Sequence, residues 1–383
     1  MKDTAALTML VMLAGSAGLA LSEPPPASLA GPLAARLAAP AQQTERFELS
    51  GSAIRVSDLA GRIRVEPGRG DRVVVLVKRG GRDADRLEVR ADRSAGTLTI
   101  GVQGDRLVYP ELGRHSHTTV RMSDDGLFEG GRRVRISGSG SGPEAWADLT
   151  VQVPAGRQTT VELGAGHVDA TDVAADLELR SGSGDLSADG TGGALKARTG
   201  SGDVDVTDAR GSLDVETGSG DVTVNGVDGG AKVQTGSGDV RISGRVGGSL
   251  DAQTGSGDVT ADDIQGDRLH VRTGSGGIRV GSARATDVSL HTGSGSVRAR
   301  LERAPASLRV DTGSGDVQLA VPPSVDADLR IDTGSGSIDL GMPVRMMSSS
   351  RSHFRGQMGK GGPEFVIRTG SGDVRLSSSG EAR

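Results

Sequence analysis

Thr199-Gly200-Ser201-Gly202-Asp203-Val204 is a hexapeptide that returns, intact or nearly so, ten times along this chain. The copies begin at Ser181, Thr199, Thr217, Thr235, Thr254, Thr273, Thr292, Thr312, Thr333 and Thr369, so successive spacings are 18, 18, 18, 19, 19, 19, 20, 21 and 36. A drifting period of this size marks stacked coils, each one supersecondary unit. A degenerate copy, Leu163-Gly164-Ala165-Gly166-His167-Val168, lies 18 residues before Ser181.

The flanks of the hexapeptide show what each coil contains. Four residues before it stand Leu177, Leu195, Leu213, Ala231, Leu250, Leu269, Val288, Leu308, Leu329 and Phe365; two before it stand Leu179, Ala197, Val215, Val233, Ala252, Val271, Leu290, Val310, Ile331 and Ile367. Polar residues such as Glu178, Lys196, Asp214 and Lys232 separate the two apolar columns, which is the alternation of a strand with one buried face. The pattern resumes after the hexapeptide in Val204-Asp205-Val206, Val222-Thr223-Val224 and Val240-Arg241-Ile242. Each coil is therefore expected to hold two short strands. Gly-Ser-Gly-Asp forms one corner, since glycine tolerates positive φ and Asp bonds nearby amides. A looser stretch such as Thr207-Asp208-Ala209-Arg210-Gly211 forms the other. By parity, Thr217 shares the inward face of Leu213 and Val215, so the threonines are expected to bond within a buried hydroxyl ladder.

Same-sense copies at this spacing predict an all-β chain folded as a single parallel β-helix, a β-solenoid of 18 to 21 residues per coil. Coils about 4.8 Å apart make the eleven signature turns span roughly 50 Å. The few aliphatic side chains of one coil cannot offset the entropy of ordering it, so stability must come from stacking on neighbours.

Composition agrees. Glycine is 61 of 383 residues, aromatics are 2%, and there is no cysteine, so the core is aliphatic, the corners are glycine, and neither disulfides nor a lipid-modified cysteine is available. A net charge of −5, from 44 basic and 49 acidic residues, argues against nucleic acid as a partner. The outward column alternates in sign through Lys196, Asp214, Lys232 and Asp251. Such exposed neighbours set register and solubility rather than form a site.

Residues 1–22 read as a signal peptide: Lys2, an apolar run from Ala5 to Leu21, and small residues before Glu23. No stable membrane span is expected after its cleavage. Residues 23–45, rich in Pro and Ala, read as a disordered linker. Residues 46–150 lack the hexapeptide but alternate in Ile54-Arg55-Val56, Ile63-Arg64-Val65 and Leu98-Thr99-Ile100, and are expected to be irregular coils with a long loop over 103–145. The regular solenoid is placed at 151–379, interrupted at 341–363 by a Met-, Ser-, Arg- and Gly-rich insertion read as a loop.

The run of Gly-Asp-Val turns, the leading strand Val151-Gln152-Val153-Pro154, the opening Ala60-Gly61-Arg62-Ile63-Arg64-Val65 and the closing Phe365-Val366-Ile367-Arg368-Thr369-Gly370-Ser371-Gly372-Asp373-Val374 resemble the bacterial adhesin-like β-solenoids, relatives of the toast-rack domains of envelope-stress proteins. The resemblance covers about residues 46–379. It implies an exported protein, periplasmic or at the cell surface, with a scaffold or adhesive role. It supplies no catalytic residues.

Four constellations could carry chemistry. The Asp column, with Asp185, Asp203, Asp221, Asp239 and Asp258, faintly resembles a calcium-binding repeat, but Asp follows glycine directly and occurs once per coil, whereas calcium takes six to eight oxygens. It is read as turn-forming, and no metal site or cofactor is assigned. The Thr-x-Ser array could form a flat ice-binding face, which the inward parity of the threonines opposes. A polysaccharide-active enzyme on a β-helix needs clustered carboxylates and aromatic platforms, and the few aromatics do not recur in the coils. The histidines are scattered over the chain, and the pair His115 and His117 is read as a solvated loop rather than a metal site. Last, Arg132, Arg133 and Arg135 in one segment and Arg345, Arg351 and Arg355 in another would make a cationic patch for anionic surface polymers or lipid headgroups if the two segments meet.

The sequence thus predicts no enzyme. It predicts an adhesin-like scaffold of the cell envelope whose partner is a protein or polysaccharide of the envelope or surface, recognised on the lateral faces or at an open end of the stack. The alternatives are an envelope-stress component acting through a protein partner and, behind it, the polysaccharide-active enzyme.

Overall fold

The computed structural model describes residues 44–123, 126–128 and 130–380. The expected signal peptide and all but the last two residues of the expected linker lie outside the described residues. Those two, Thr44 and Glu45, already belong to the strand Thr44–Leu49.

Each regular coil holds two strands, as in Leu195–Ser201 with Val204–Ala209 and Leu213–Ser219 with Val222–Val227. Equivalent residues pair in parallel from coil to coil, Leu195 with Leu213, Thr199 with Thr217 and Val204 with Val222. One inward column runs Val56, Val161, Leu179, Ala197, Val215, Val233, Ala252, Val271, Leu290, Val310, Ile367, Ile331, one residue from each of twelve coils among the described residues. Every member is buried. The protein is a parallel β-solenoid with a continuous aliphatic core.

The signature glycines are there for a different reason from the expected one. Positive φ occurs at Gly184 in the first hexapeptide, but from Thr199 onward the hexapeptide glycines do not adopt it. Neighbouring coils instead approach so closely that a Cβ on Gly220 would stand 1.9 Å from the carbonyl oxygen of Gly202, and one on Gly257 1.9 Å from that of Gly238. Positive φ belongs to the opposite corner, where Asp172, Gly190, Asp208, Gly226, Gly244 and Asp263 form a left-handed column with φ of 54°, 68°, 51°, 78°, 75° and 55°. Only glycine and the short polar residues accept that conformation readily, hence the mixture of Asp and Gly.

The threonines do turn inward, but they do not bond one another. Thr254 Oγ1 donates to the carbonyl of Gly238 in the preceding coil (2.9 Å) and accepts the N–H of Gly257 in its own (3.1 Å). Thr273 and Thr292 repeat both bonds. A single hydroxyl thus satisfies a buried donor and a buried acceptor at a corner that the sheet ladder leaves open.

Both ends depart from the expected order of coils. In residues 46–150 only Ile54–Pro67 is a coil, paired in parallel with Thr159–Thr171. In the remainder, Trp146–Val153 and Thr97–Val102 pair in parallel with that coil, and antiparallel pairs close the stack: Thr44–Leu49 on Val73–Gly80, Val73–Gly80 on Trp146–Val153, and Leu87–Asp92 on Thr97–Val102. The expected loop over 103–145 is chiefly a separate four-stranded sheet. At the other end, the 341–363 insertion is mainly a hairpin, Arg345–Ser349 with His353–Met358, laid antiparallel on Ala327–Thr333. The last strands, Glu364–Thr369 and Val374–Ser378, then slot between two earlier coils: Phe365 pairs with both Leu308 and Leu329, and Val374 with both Val317 and Ile338. Stack order and chain order part company there, which explains the spacing of 36 between Thr333 and Thr369.

Candidate functional site

The Asp column lines one corner, where it serves the backbone. The Oδ1 atom of Asp185 accepts the N–H of Asp203, that of Asp203 the N–H of Asp221, that of Asp221 the N–H of Asp239, and that of Asp239 the N–H of Asp258, each at 2.9 Å. The gap at Gly277 is bridged in the same way, its N–H reaching Asp258 Oδ1 at 2.7 Å. Half of each carboxylate is thus committed to the next coil. Among the described residues no group of three or more His, Cys, Asp or Glu side chains is placed to hold a metal ion.

The two arginine groups do not meet. Arg132, Arg133 and Arg135 belong to the strand Arg132–Ser137 of the appended sheet, which covers the first coils, while Arg345, Arg351 and Arg355 stand exposed on the hairpin at the opposite end. Eight coils lie between the one at Leu179 and the one at Ile331, so about 40 Å of solenoid separates the groups. Within the first group Arg132 also turns away, its guanidinium bonding the carbonyl of Val102 and lying 4.0 Å from Met122 Sδ.

The appended sheet orders its strands as Arg106–Val108, Arg132–Ser137, His117–Ser123 and Gly126–Leu127. Its inner face rests on the bare backbone of two signature glycines: a Cβ on Gly182 would meet Val120 at 3.0 Å and one on Gly164 would meet Ile136 at 2.8 Å. Glu162 pins it. This fully buried side chain accepts the N–H of Leu127 and the hydroxyl of Ser57, both at 2.8 Å, with Arg55 and Arg180 at 3.7 and 3.6 Å from its other oxygen.

Beside the sheet lies a cleft of about 560 Å³ lined by Arg62, Tyr109, Glu111, His167, Asp169 and Ser183, among others. His167 Nε2 lies 2.8 Å from Asp169 Oδ1, two residues apart on one strand face. Among the described residues no hydroxyl bonds the imidazole, so no relay to a nucleophile is assembled. Tyr109 donates to Glu111 at 2.9 Å; burial and that carboxylate raise its pKa. Its ring is buried against Trp146, centroids 6.1 Å apart, and offers no platform for a sugar.

Sequence reasoning overlooked Asp58. It pairs with Leu163 and so stands in the threonine column, wholly buried. Burial pushes its carboxyl well above the ordinary range, which the nearby N–H groups of Ala60 and Leu59 only partly oppose. The signal was present in Ala60-Gly61, which aligns with Ala165-Gly166 and so identifies the residue two places earlier.

The charged lateral columns are cross-braced. Arg198 reaches Glu178 (2.9 Å), Glu216 (3.3 Å) and Asp214 (3.6 Å), linking three successive coils. Among the described residues no helix is long and apolar enough to cross a membrane.

No curated protein matches the sequence. Among solved structures the chain is similar to a candidate cell adhesion protein from Clostridium sporogenes, at 9% identity over 88% of this chain and 100% of that chain, with a TM-score of 0.17. The profile of the Toastrack DUF4097 family matches residues 137–245 and 211–377, together well over half of the sequence. The chain belongs to the Toastrack DUF4097 family.

Proposed function

We propose that this protein is a non-enzymatic, adhesin-like scaffold exported to the bacterial cell envelope, periplasmic or at the surface, whose lateral faces bind an envelope or surface component. The observation that carries the reading is the allocation of its polar chemistry. The buried threonines and the Asp column are bonded to backbone, the lateral charges brace one another as at Arg198, and the His167–Asp169 pair lacks a nucleophile. What the fold offers a partner is a long, regular, rigid surface. Membership of the Toastrack family supports the reading, and the apolar run at residues 5–21 supports export. The test is capture of envelope extract on the folded part, residues 44–380, with proteins and polysaccharides analysed separately. Retention of neither class, together with no binding to intact cells, would overturn the proposal.

One observation favours the second reading, an envelope-stress component acting through a protein. Arg345–Ser349 is the outermost strand at its end of the stack and carries the exposed side chains Met346 and Met347, at 64% and 71%. An open edge with apolar side chains suits addition of a partner's strand. Loss of protein capture on replacing Met346 and Met347 by Lys, with binding to cells unchanged, would support that route.

A further inference from the structure

We propose that the outer face of the appended four-stranded sheet binds a linear anionic polysaccharide through a stripe formed by Arg106, Arg135, Arg133 and Arg121. The inference deepens the adhesin-like reading by naming the chemistry of a partner.

Strand register assembles the stripe. Arg106 pairs directly with Arg135, and Arg133 with Arg121. Arg133 and Arg135 are two apart on one strand and share a face. Val120, Val134, Ile136 and Leu107 alternate with these arginines and are buried, so the arginines point outward, and all four are exposed. Neighbours across strands lie about 5 Å apart and those along a strand about 7 Å apart. The guanidinium groups therefore follow a path from Arg106 through Arg135 and Arg133 to Arg121, one arginine wide.

Folding does not ask for this arrangement. Like charges directly opposite one another in a sheet are destabilising. On the solenoid several arginines have carboxylate partners, as at Arg198, Arg241, Arg284 and Arg330, although Arg279 also stands directly opposite Arg298. Among the described residues Arg121, Arg133 and Arg135 have no such partner, and Arg106 bonds only the hydroxyl of Ser141 at 2.7 Å. The segment 103–145 carries six basic and six acidic residues, so an excess of basic residues in the segment does not account for the stripe. Two of the acids are occupied elsewhere, Glu144 with Arg82 and Glu111 with Tyr109.

A row of planar, permanently charged groups suits a chain of carboxylates or sulfates, each held through paired N–H donors. Among the described residues the exposed large hydrophobic side chains, Met346 and Met347, are on the hairpin at the far end, so this face has none of them to enter a bilayer. Among its described residues the imidazole of His117 is exposed on this face, but no Phe, Tyr or Trp ring stands there for a nucleic-acid base to stack on.

The test measures binding of the full chain to immobilised polygalacturonate, with neutral dextran as control and vesicles of phosphatidylcholine with and without phosphatidylglycerol as a separate arm. The expected result is binding to polygalacturonate, none to dextran, and weakening as salt is raised. Arg121→Thr/Arg133→Thr/Arg135→Thr is expected to lose about tenfold or more, and the single variant Arg133→Gln about threefold. Arg345→Ser/Arg351→Ser/Arg355→Ser should bind as the parent does. The inference is overturned if the triple and single variants keep full affinity, if anionic vesicles bind as well as the glycan, or if nothing binds. Should the triple variant still bind envelope extract like the parent, the adhesin-like reading survives and this one falls. Should the parent bind polygalacturonate through the arginines but no envelope fraction, the outcome is the reverse.

Discussion

The backbone N–H of Asp373 bonds the carboxylate of Asp316, 57 residues earlier, at 2.9 Å. The same chain end makes the corresponding bond on its other side, where the N–H of Ser337 reaches Asp373 Oδ1 at 2.7 Å. The final strands are therefore interior members of the stack. Truncation before Glu364 is expected to release the whole segment 327–358 rather than trim one end, and Phe365→Ala, which empties a fully buried site, to cost about 3–5 kcal/mol. Limited proteolysis should show new cleavage throughout that segment, with the coils before Val321 protected. Protection of Ala327–Thr333 in the truncated chain would refute the slotting.

Gly220→Ala and Gly257→Ala place a methyl group 1.9 Å from a backbone oxygen of the adjoining coil. Neither backbone can yield without parting the coils, so each substitution should destabilise by several kcal/mol, at the severe end of single changes. Gly156→Ala is the control: its φ is +75° but nothing lies within 4 Å of the added atom, so only conformational strain of about 1 kcal/mol applies. Equal melting temperatures for Gly220→Ala and Gly156→Ala would contradict the close-approach account.

Thr254→Val keeps the shape and deletes a hydroxyl that serves two buried backbone groups. A loss of about 1–3 kcal/mol is expected, with Thr254→Ser regaining much of it. Chemical denaturation of the three proteins compares them directly.

Asp221→Asn preserves the oxygen that accepts the N–H of Asp239, whereas Asp221→Ala removes it. If the column acts as a turn ladder, Asn should be nearly neutral and Ala should cost about 1 kcal/mol. Equal losses in both would point to the charge instead.

Asp58 gives the fold a pH dependence of definite sign. Its folded pKa is raised by burial, while in the unfolded chain it titrates near about 3.9. Between those values the folded state holds the extra proton, so this group's contribution is most favourable below about pH 4 and declines as pH rises through the folded value. Asp58→Asn should remove that slope and gain about 1 kcal/mol or more at neutral pH. Glu48 and Asp373, whose pKa values are lowered by hydrogen bonds and nearby arginines, and Asp92, lowered by hydrogen bonds from Ala95 and Ser94, act in the opposite sense, so the difference between variant and parent isolates Asp58. Parallel stability curves from pH 4 to 8 would show that it does not titrate in that range.

The repeating coil was readable because its constraints are local. The period-2 alternation around Leu213, Val215 and Thr217 fixed which side chains turn inward, and the eighteen-residue spacing fixed parallel register. The role of the signature glycines was not readable, because close approach is a relation between Gly220 and Gly202 that a single hexapeptide does not display. The spacing of 36 before Thr369 resembled an ordinary insertion, since sequence order carries no mark of a strand returning beneath one already laid down. The appended sheet was hidden by its short strands, yet the alternation of Val120, Met122, Val134 and Ile136 with Arg121, Arg133 and Arg135 held its basic face in plain view. Arg106 joins that face only through pairing with Arg135, which no spacing announces.

The late return of Phe365 also bears on biosynthesis. A chain emerging from its N-terminus can add coil upon coil as far as Val321, but Ala327–Thr333, though it can pair with the hairpin strand His353–Met358, has no coil beneath it until Glu364–Thr369 arrives. The coil of Ala327–Thr333 and the hairpin laid on it are fixed to the stack only once residues 364–378 have been made, so a product interrupted before them keeps an unclosed, degradable tail. Closure of this part of the stack thereby reports that synthesis has passed Ser378.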